Sequence, residues 1–147
     1  TGKADQTEFL KGLGASEVIT REAIMENADR AMLKERWAGA VDVVGGEMLA
    51  AVLKSTRYGG TVTCCGLVGS PDLPVNVFPF ILRGVSLLGI DSVQCPTEQR
   101  LAVWNKLADE WQVDLEALVN EVALENLEDS IQTILKGGLR GRVLVKI

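Results

Sequence analysis

The hydrophobic pattern of this chain alternates between short apolar runs that end on glycine and longer segments with helical spacing. Val41-Asp42-Val43-Val44-Gly45-Gly46 and Thr61-Val62-Thr63-Cys64-Cys65-Gly66 are the clearest of the runs. Runs of this length are what strands buried on both faces look like in sequence, and such strands belong to parallel sheets. Between the two, Met48, Leu49, Val52 and Leu53 form a helical stripe over Glu47 to Thr56, stopped by Arg57-Tyr58-Gly59-Gly60. Strand, helix and parallel strand make a βαβ unit. Glycine at the carboxyl end of such a strand lets a second group approach the backbone, and in open α/β sheets that end is where ligands bind.

The other elements follow from the same pattern. A short helix within residues 1–14 carries Phe9, Leu10 and Leu13, and Glu17-Val18-Ile19 reads as a brief strand. Arg21 to Lys34 is polar and weakly helical. Leu67 to Asn76, with Gly69, Pro71 and Pro74, is irregular. A helix over Phe78 to Arg83 tolerates Pro79 in its first turn, and Val85 to Ile90 is a third strand. Thr97 is the expected N-cap of a helix whose one face carries Leu101, Trp104, Ala108 and Trp111. Val119 to Leu124 reads as a strand, Asn126 as the cap of a helix over Leu127 to Lys136, and Gly141 to Ile147 as a final strand.

Composition narrows the function. The chain has 147 residues, a one-domain length, with 47% apolar and 24% charged residues. A net charge of −5 with no basic run argues against a nucleic-acid partner and against an anionic membrane surface. No apolar stretch approaches the ~20 residues of a membrane span. No charged-then-apolar leader is visible, so a cytoplasmic location is expected. Cys64, Cys65 and Cys95 make no disulfide framework and read as small apolar residues. With no histidine and no C-x-x-C, no metal site is expected, and the commonest general acid/base is absent. Asp42 and Asp91, at strand ends without an acid/base partner, read as structural or capping residues.

Several segments together resemble the medium-chain dehydrogenase/reductase superfamily, in its zinc-independent quinone oxidoreductase and acrylyl-CoA reductase branch. They are Trp37 to Gly46, Arg57-Tyr58-Gly59-Gly60, Cys65-Gly66-Leu67, Pro79 to Val85, Leu88-Gly89-Ile90-Asp91-Ser92 and the terminal Gly141 to Ile147. The resemblance implies an α/β fold. Its core is a partial Rossmann-type parallel sheet with helices on both faces, followed by a C-terminal segment returning to a catalytic domain outside this sequence. Residues 1–112 would be the cofactor-binding part and residues 113–147 the returning segment. The chain would begin just after the second Rossmann strand, which accounts for the absence of G-x-G-x-x-G. On that expectation the strand near Val18 lacks its neighbour. It would then be disordered, associate with another copy, or belong to a parent that holds the rest.

The resemblance also implies a site. Thr1-Gly2-Lys3 would be the loop that holds the 2′-phosphate of NADP(H), with a hydroxyl, a flexible glycine and a cation where an NAD enzyme carries a carboxylate. Without the family, the same residues are a chain terminus with an incidental lysine. Arg21 is a second cation for that phosphate, or else a solvated arginine. Val44 and Gly45, with Leu67 after Gly66, would lie against the ribose and nicotinamide, or simply form tight turns. Ile81 would pack beside the ring and Ser92 would hydrogen-bond its carboxamide; an apolar core residue and a turn serine are the plainer readings. Arg142 reaches the cofactor or the substrate's anionic part, or pairs with an acidic neighbour. No catalytic residue is expected in this chain. The implied activity is NADPH-dependent reduction of an activated C=C or a quinone, with an enone, enoyl-CoA or quinone as small-molecule substrate and a homodimer joined through Val85 to Ile90. Alone, the chain is expected to be inactive. The rival is a self-contained α/β binding module without redox activity.

Overall fold

A computed structural model describes residues 1–2 and 4–147. The chain divides into two compact units, Thr1–Gln94 and Cys95–Ile147. The boundary expected at residue 112 concerns function and not compactness; the helix before it belongs to the second compact unit.

In the first unit, α1 (Thr7–Gly12), α2 (Arg21–Met25), α3 (Gly46–Lys54) and α4 (Phe78–Arg83) accompany three strands, β1 (Trp37–Asp42), β2 (Thr56–Cys64) and β3 (Ser86–Gly89). The strands pair in the order β1-β2-β3 and all run parallel. Their register aligns Ala40, Val62 and Leu87 in one row, and Val41, Thr63 and Leu88 in the next. Because side chains alternate across a strand, these rows lie on opposite faces. The first row packs with Leu49, Leu53 and Val85 in the core, and Phe80 and Val52 close around it. The second row is open, with Val41 77% and Leu88 50% exposed.

The βαβ reading of 41–66 is borne out, with shifted boundaries. β1 begins at Trp37 and ends at Asp42, before the glycines, because the Asp42 carboxylate turns back to accept a hydrogen bond from the Gly45 N–H at 2.8 Å. Tyr58-Gly59-Gly60 does not precede β2 but interrupts its pairing. Trp37 pairs with Thr56 and Gly39 with Thr61, so Arg57 to Gly60 bulge out opposite Ala38 alone. A Cβ on Gly60 would meet the Ala38 carbonyl at 2.6 Å, and Gly59 takes φ +70°. The glycine pair is thus demanded by the bulge.

Two expectations are corrected. Glu17-Val18-Ile19 joins no ladder among the described residues; the Ile19 carbonyl instead accepts from the Thr1 amino group at 2.5 Å. The helix over 21–34 stops at Met25, since Asn27 adopts φ +58° and the chain then turns so that the Leu33 N–H reaches the Lys54 carbonyl. The helix over 78–83 forms where expected and ends on Gly84 at φ +58°. Its last residue, Arg83, fastens it down. The guanidinium donates to the carbonyls of Lys54 (2.8 Å), Thr56 (3.2 Å) and Leu33 (2.7 Å) and pairs with Glu35 at 3.3 Å.

The second unit holds α5 (Thr97–Ala108), β4 (Val119–Ala123), α6 (Leu127–Leu135) and β5 (Arg142–Lys146), with β4 and β5 forming a two-stranded parallel sheet. Thr97 is the first helical residue and not the cap; Pro96 occupies the N-cap position, with no side-chain hydrogen bond. Trp111 lies beyond the helix end, in a turn where Lys106 stands 4.7 Å from its ring, so it shares no helix face with Trp104. Asn126 does precede α6, yet its side chain makes no cap bond.

Candidate functional site

Parallel pairing fixes where a site can form. The carboxyl ends of β1, β2 and β3, at Asp42, Cys64 and Gly89, lie side by side in register, and the loops that leave them meet there. The turn after β1 is held from both sides. Asp42, only 6% exposed, accepts from Gly45 through its carboxylate and from the Cys65 N–H (3.0 Å) through its carbonyl. The Gly69 N–H donates to the Val44 carbonyl at 2.7 Å, and Gly45 bridges to Ser70 in parallel fashion. The result is a double-stranded ledge of 43–46 against 65–70.

The glycines of this ledge admit backbone, and what approaches them is the protein itself. A Cβ on Gly45 would lie 2.5 Å from the Ser70 carbonyl, and one on Gly66 would lie 2.3 Å from the Val43 carbonyl. Gly45 also takes φ +73°, which L side chains rarely adopt. Both residues therefore sit in tight turns; Gly45 lines neither cleft described next, whereas Gly66 lines one of them.

Two clefts flank the ledge. One, of about 480 Å³, is lined by Cys64 to Leu67 and by Gly89, Ile90 and Asp91, the carboxyl ends of β2 and β3. Asp91 shapes it by accepting from the N–H groups of Val93 (2.9 Å) and Gln94 (3.1 Å), the capping role expected of it. The other, of about 330 Å³, gathers Thr1, Gly2, Arg21, Asp42 and Val44 over an apolar floor that includes Val41, Met48 and Val52. Arg21 opens α2, and its guanidinium carbon lies 3.2 Å from the place a Gly2 Cβ would take, so any larger residue at position 2 would displace the charge. Beside it, hydrogen bonds from its own backbone and from the Thr20 hydroxyl hold the exposed Glu22 carboxyl below its usual range, with Arg21 adding attraction. Both volumes fall within the range of small-molecule sites.

Of the expected site residues, Thr1, Gly2, Arg21 and Val44 thus share one cleft, and Leu67 lines the other. Lys3 lies outside the described residues. Ile81 is 67% exposed on α4, and Ser92 is exposed in the loop after β3; neither lines the two clefts. Arg142 belongs to the second unit, where it opens β5 and donates to the Gly141 carbonyl at 3.1 Å. Sequence reasoning missed Ser70, whose loop bridges Gly45, and Arg83. The signal for Arg83 was a lone charge closing an apolar helix; Ser70 gave none. Among the described residues no group of three or more His, Cys, Asp or Glu side chains gathers as a metal site would.

The profile of the zinc-binding dehydrogenases matches residues 1–110. The chain belongs to that family. Within it, the chain is 44% identical over 148 residues to the acrylyl-CoA reductase AcuI of Ruegeria pomeroyi, covering 100% of this chain and 45% of that protein. It is 47% identical to Bacillus subtilis yhfP, whose crystal structure has NAD bound; the match covers 99% of this chain and 45% of that one, with a TM-score of 0.92. Against E. coli K-12 YhdH with bound NADPH the identity is 40% and the TM-score 0.88, again over 99% of this chain and 45% of the other. The expected branch is therefore the right one, and the parallel sheet is of the Rossmann type found in these medium-chain dehydrogenases. The chain spans a little under half the length of the relatives it matches.

Proposed function

We propose that the first unit is the nicotinamide-dinucleotide-binding part of an NADPH-dependent reductase acting on an activated C=C bond or a quinone. The observation that carries this reading is the pair of clefts at the carboxyl ends of parallel strands, in a chain that superposes on relatives solved with NADPH and NAD. The residues present suit the cofactor. The cleft of Thr1, Gly2 and Arg21 offers an unobstructed backbone and a guanidinium to a phosphate, and Asp42, which also lines it, is buried with its carboxylate bonded to the Gly45 N–H. The cleft of Leu67 and Ile90 offers apolar edges and strand-end backbone to a flat ring.

When bound, the dinucleotide supplies a hydride to the β-carbon of the polarised double bond. This chain's contribution is to bind and orient. Val44 and Leu67 stand on the two strands of the ledge; Ile81, Ser92 and Arg142 are proposed to border the nicotinamide end or the substrate. No group of this chain is assigned as acid or base, and the chain alone is proposed to be inactive. Residues 1–112 act as the cofactor-binding part and 113–147 as the segment joining the catalytic domain. A homodimer formed through β3, whose outer edge has no partner strand among the described residues, completes the proposal.

Fluorescence titration tests the cofactor assignment. The chain is expected to bind NADPH at least about tenfold more tightly than NADH, a difference of ~1.4 kcal/mol. Arg21→Ala is expected to remove most of that preference while leaving NADH binding nearly unchanged. Equal affinities for the two nucleotides in the unsubstituted chain would overturn the phosphate role of this cleft.

A further inference from the structure

We infer that Asp91 holds a fixed negative charge beside the nicotinamide ring and so favours its oxidised, cationic form over the reduced one, an inference that rests on the dinucleotide-binding reading above. Asp91 lines the cleft at the carboxyl ends of β2 and β3. Among the described residues that line it, Asp91 alone is charged; the others are cysteine, glycine, leucine and isoleucine. Its place is set from both sides. The Ile90 N–H extends the strand ladder by donating to the Cys64 carbonyl at 3.0 Å. Beyond Asp91, the Val93 and Gln94 N–H groups both donate to its Oδ1, at 2.9 and 3.1 Å. The residue is exposed, and among the described residues no donor reaches Oδ2 and no lysine or arginine pairs with the carboxylate.

The turn by itself does not call for the charge. Two backbone N–H groups need an acceptor oxygen, which an asparagine offers as well. What aspartate adds is a negative charge, held in place at a mainly apolar cleft and not cancelled by a paired cation. Departure of the hydride leaves a positive charge on the nicotinamide ring. A ring seated in this cleft is therefore stabilised by Asp91 more after the transfer than before it. Attraction between unit charges in one small cleft, partly screened by solvent, changes an equilibrium by about threefold to tenfold.

Calorimetric titration of the original chain, Asp91→Asn and Asp91→Ala with NADP⁺ and with NADPH separates the charge from the turn. Asp91→Asn keeps an oxygen for the Val93 and Gln94 N–H groups and removes the charge. It should bind NADP⁺ about threefold to tenfold more weakly while NADPH changes by less than about twofold. The shift in the ratio of the two affinities should shrink as salt is raised. Asp91→Ala should shift that ratio by a similar factor and also weaken both nucleotides, because the loop is released. Amide hydrogen exchange at Val93 reads the release separately, faster in Asp91→Ala and unchanged in Asp91→Asn. An unchanged ratio in Asp91→Asn would overturn the inference, whether the two affinities hold or fall together, since the residue would then serve only the turn. Failure of the original chain to bind either nucleotide would sink the dinucleotide reading, and this inference with it.

Discussion

The two units of this chain are built to different degrees of completeness. The first encloses a core in which Leu53 and Val62 have no exposed surface and Leu49 and Val85 almost none. The second, among its described residues, buries none: α6 is strongly amphipathic, yet Ile131, Ile134 and Leu135 remain 40–73% exposed, and β4 pairs only with β5. Two strands and two helices without a closed core are at the limit of independent stability. The same hydrophobic effect therefore acts in both units, but only the first has enough neighbouring surface to use it. The ledge and its clefts stand on the unit that can hold them still.

Core truncation should show this contrast most visibly. Leu53→Ala is expected to destabilise the first unit by about 2–5 kcal/mol, whereas Ile134→Ala, which removes a half-exposed side chain, should cost under ~1 kcal/mol. Chemical denaturation followed at each unit would compare them, and similar losses would mean that the second unit has a core after all. Next in size is Gly66→Ala. Its Cβ would collide with the Val43 carbonyl, a backbone atom that cannot swing aside, so a loss of about 1–3 kcal/mol and of NADPH binding is expected. Thermal unfolding with and without NADPH would measure both. Smallest should be Lys146→Ala, which removes the ion pair of Lys146 with Glu121 at 2.5 Å on β5 and β4. Both partners are at least half exposed, and such pairs contribute about 0–1 kcal/mol.

The contrast also explains what could be read from the sequence. Segments whose pattern answers to one neighbour were legible: the stripe of α3, the Val62 strand, the Phe78–Arg83 helix with its proline and glycine limits, and the β5 alternation. Failures fall where a distant group decides. Val18 and Ile19 have strand composition but no ladder, because a strand exists only by pairing. The bulge at Arg57 to Gly60 depends on its register against Ala38, which no local pattern reveals. Trp111 sits at a helical interval from Trp104, yet the helix ends at Ala108, before reaching it. At the site, the glycine tips were recognised as points of close approach, but the approaching group at Gly45 and Gly66 is the chain's own backbone. The aspartate set aside as structural turns out to hold the ledge together.

The most direct test of the central claim, that the ledge between the two clefts receives a nicotinamide nucleotide, is an amide chemical-shift titration of the chain with NADPH. Saturable shifts at Val44, Gly45, Gly66, Leu67 and Ile90, with those of β4 and α6 unmoved, are the result expected. Shifts confined to the second unit, or none at the ledge under saturating NADPH, would contradict it.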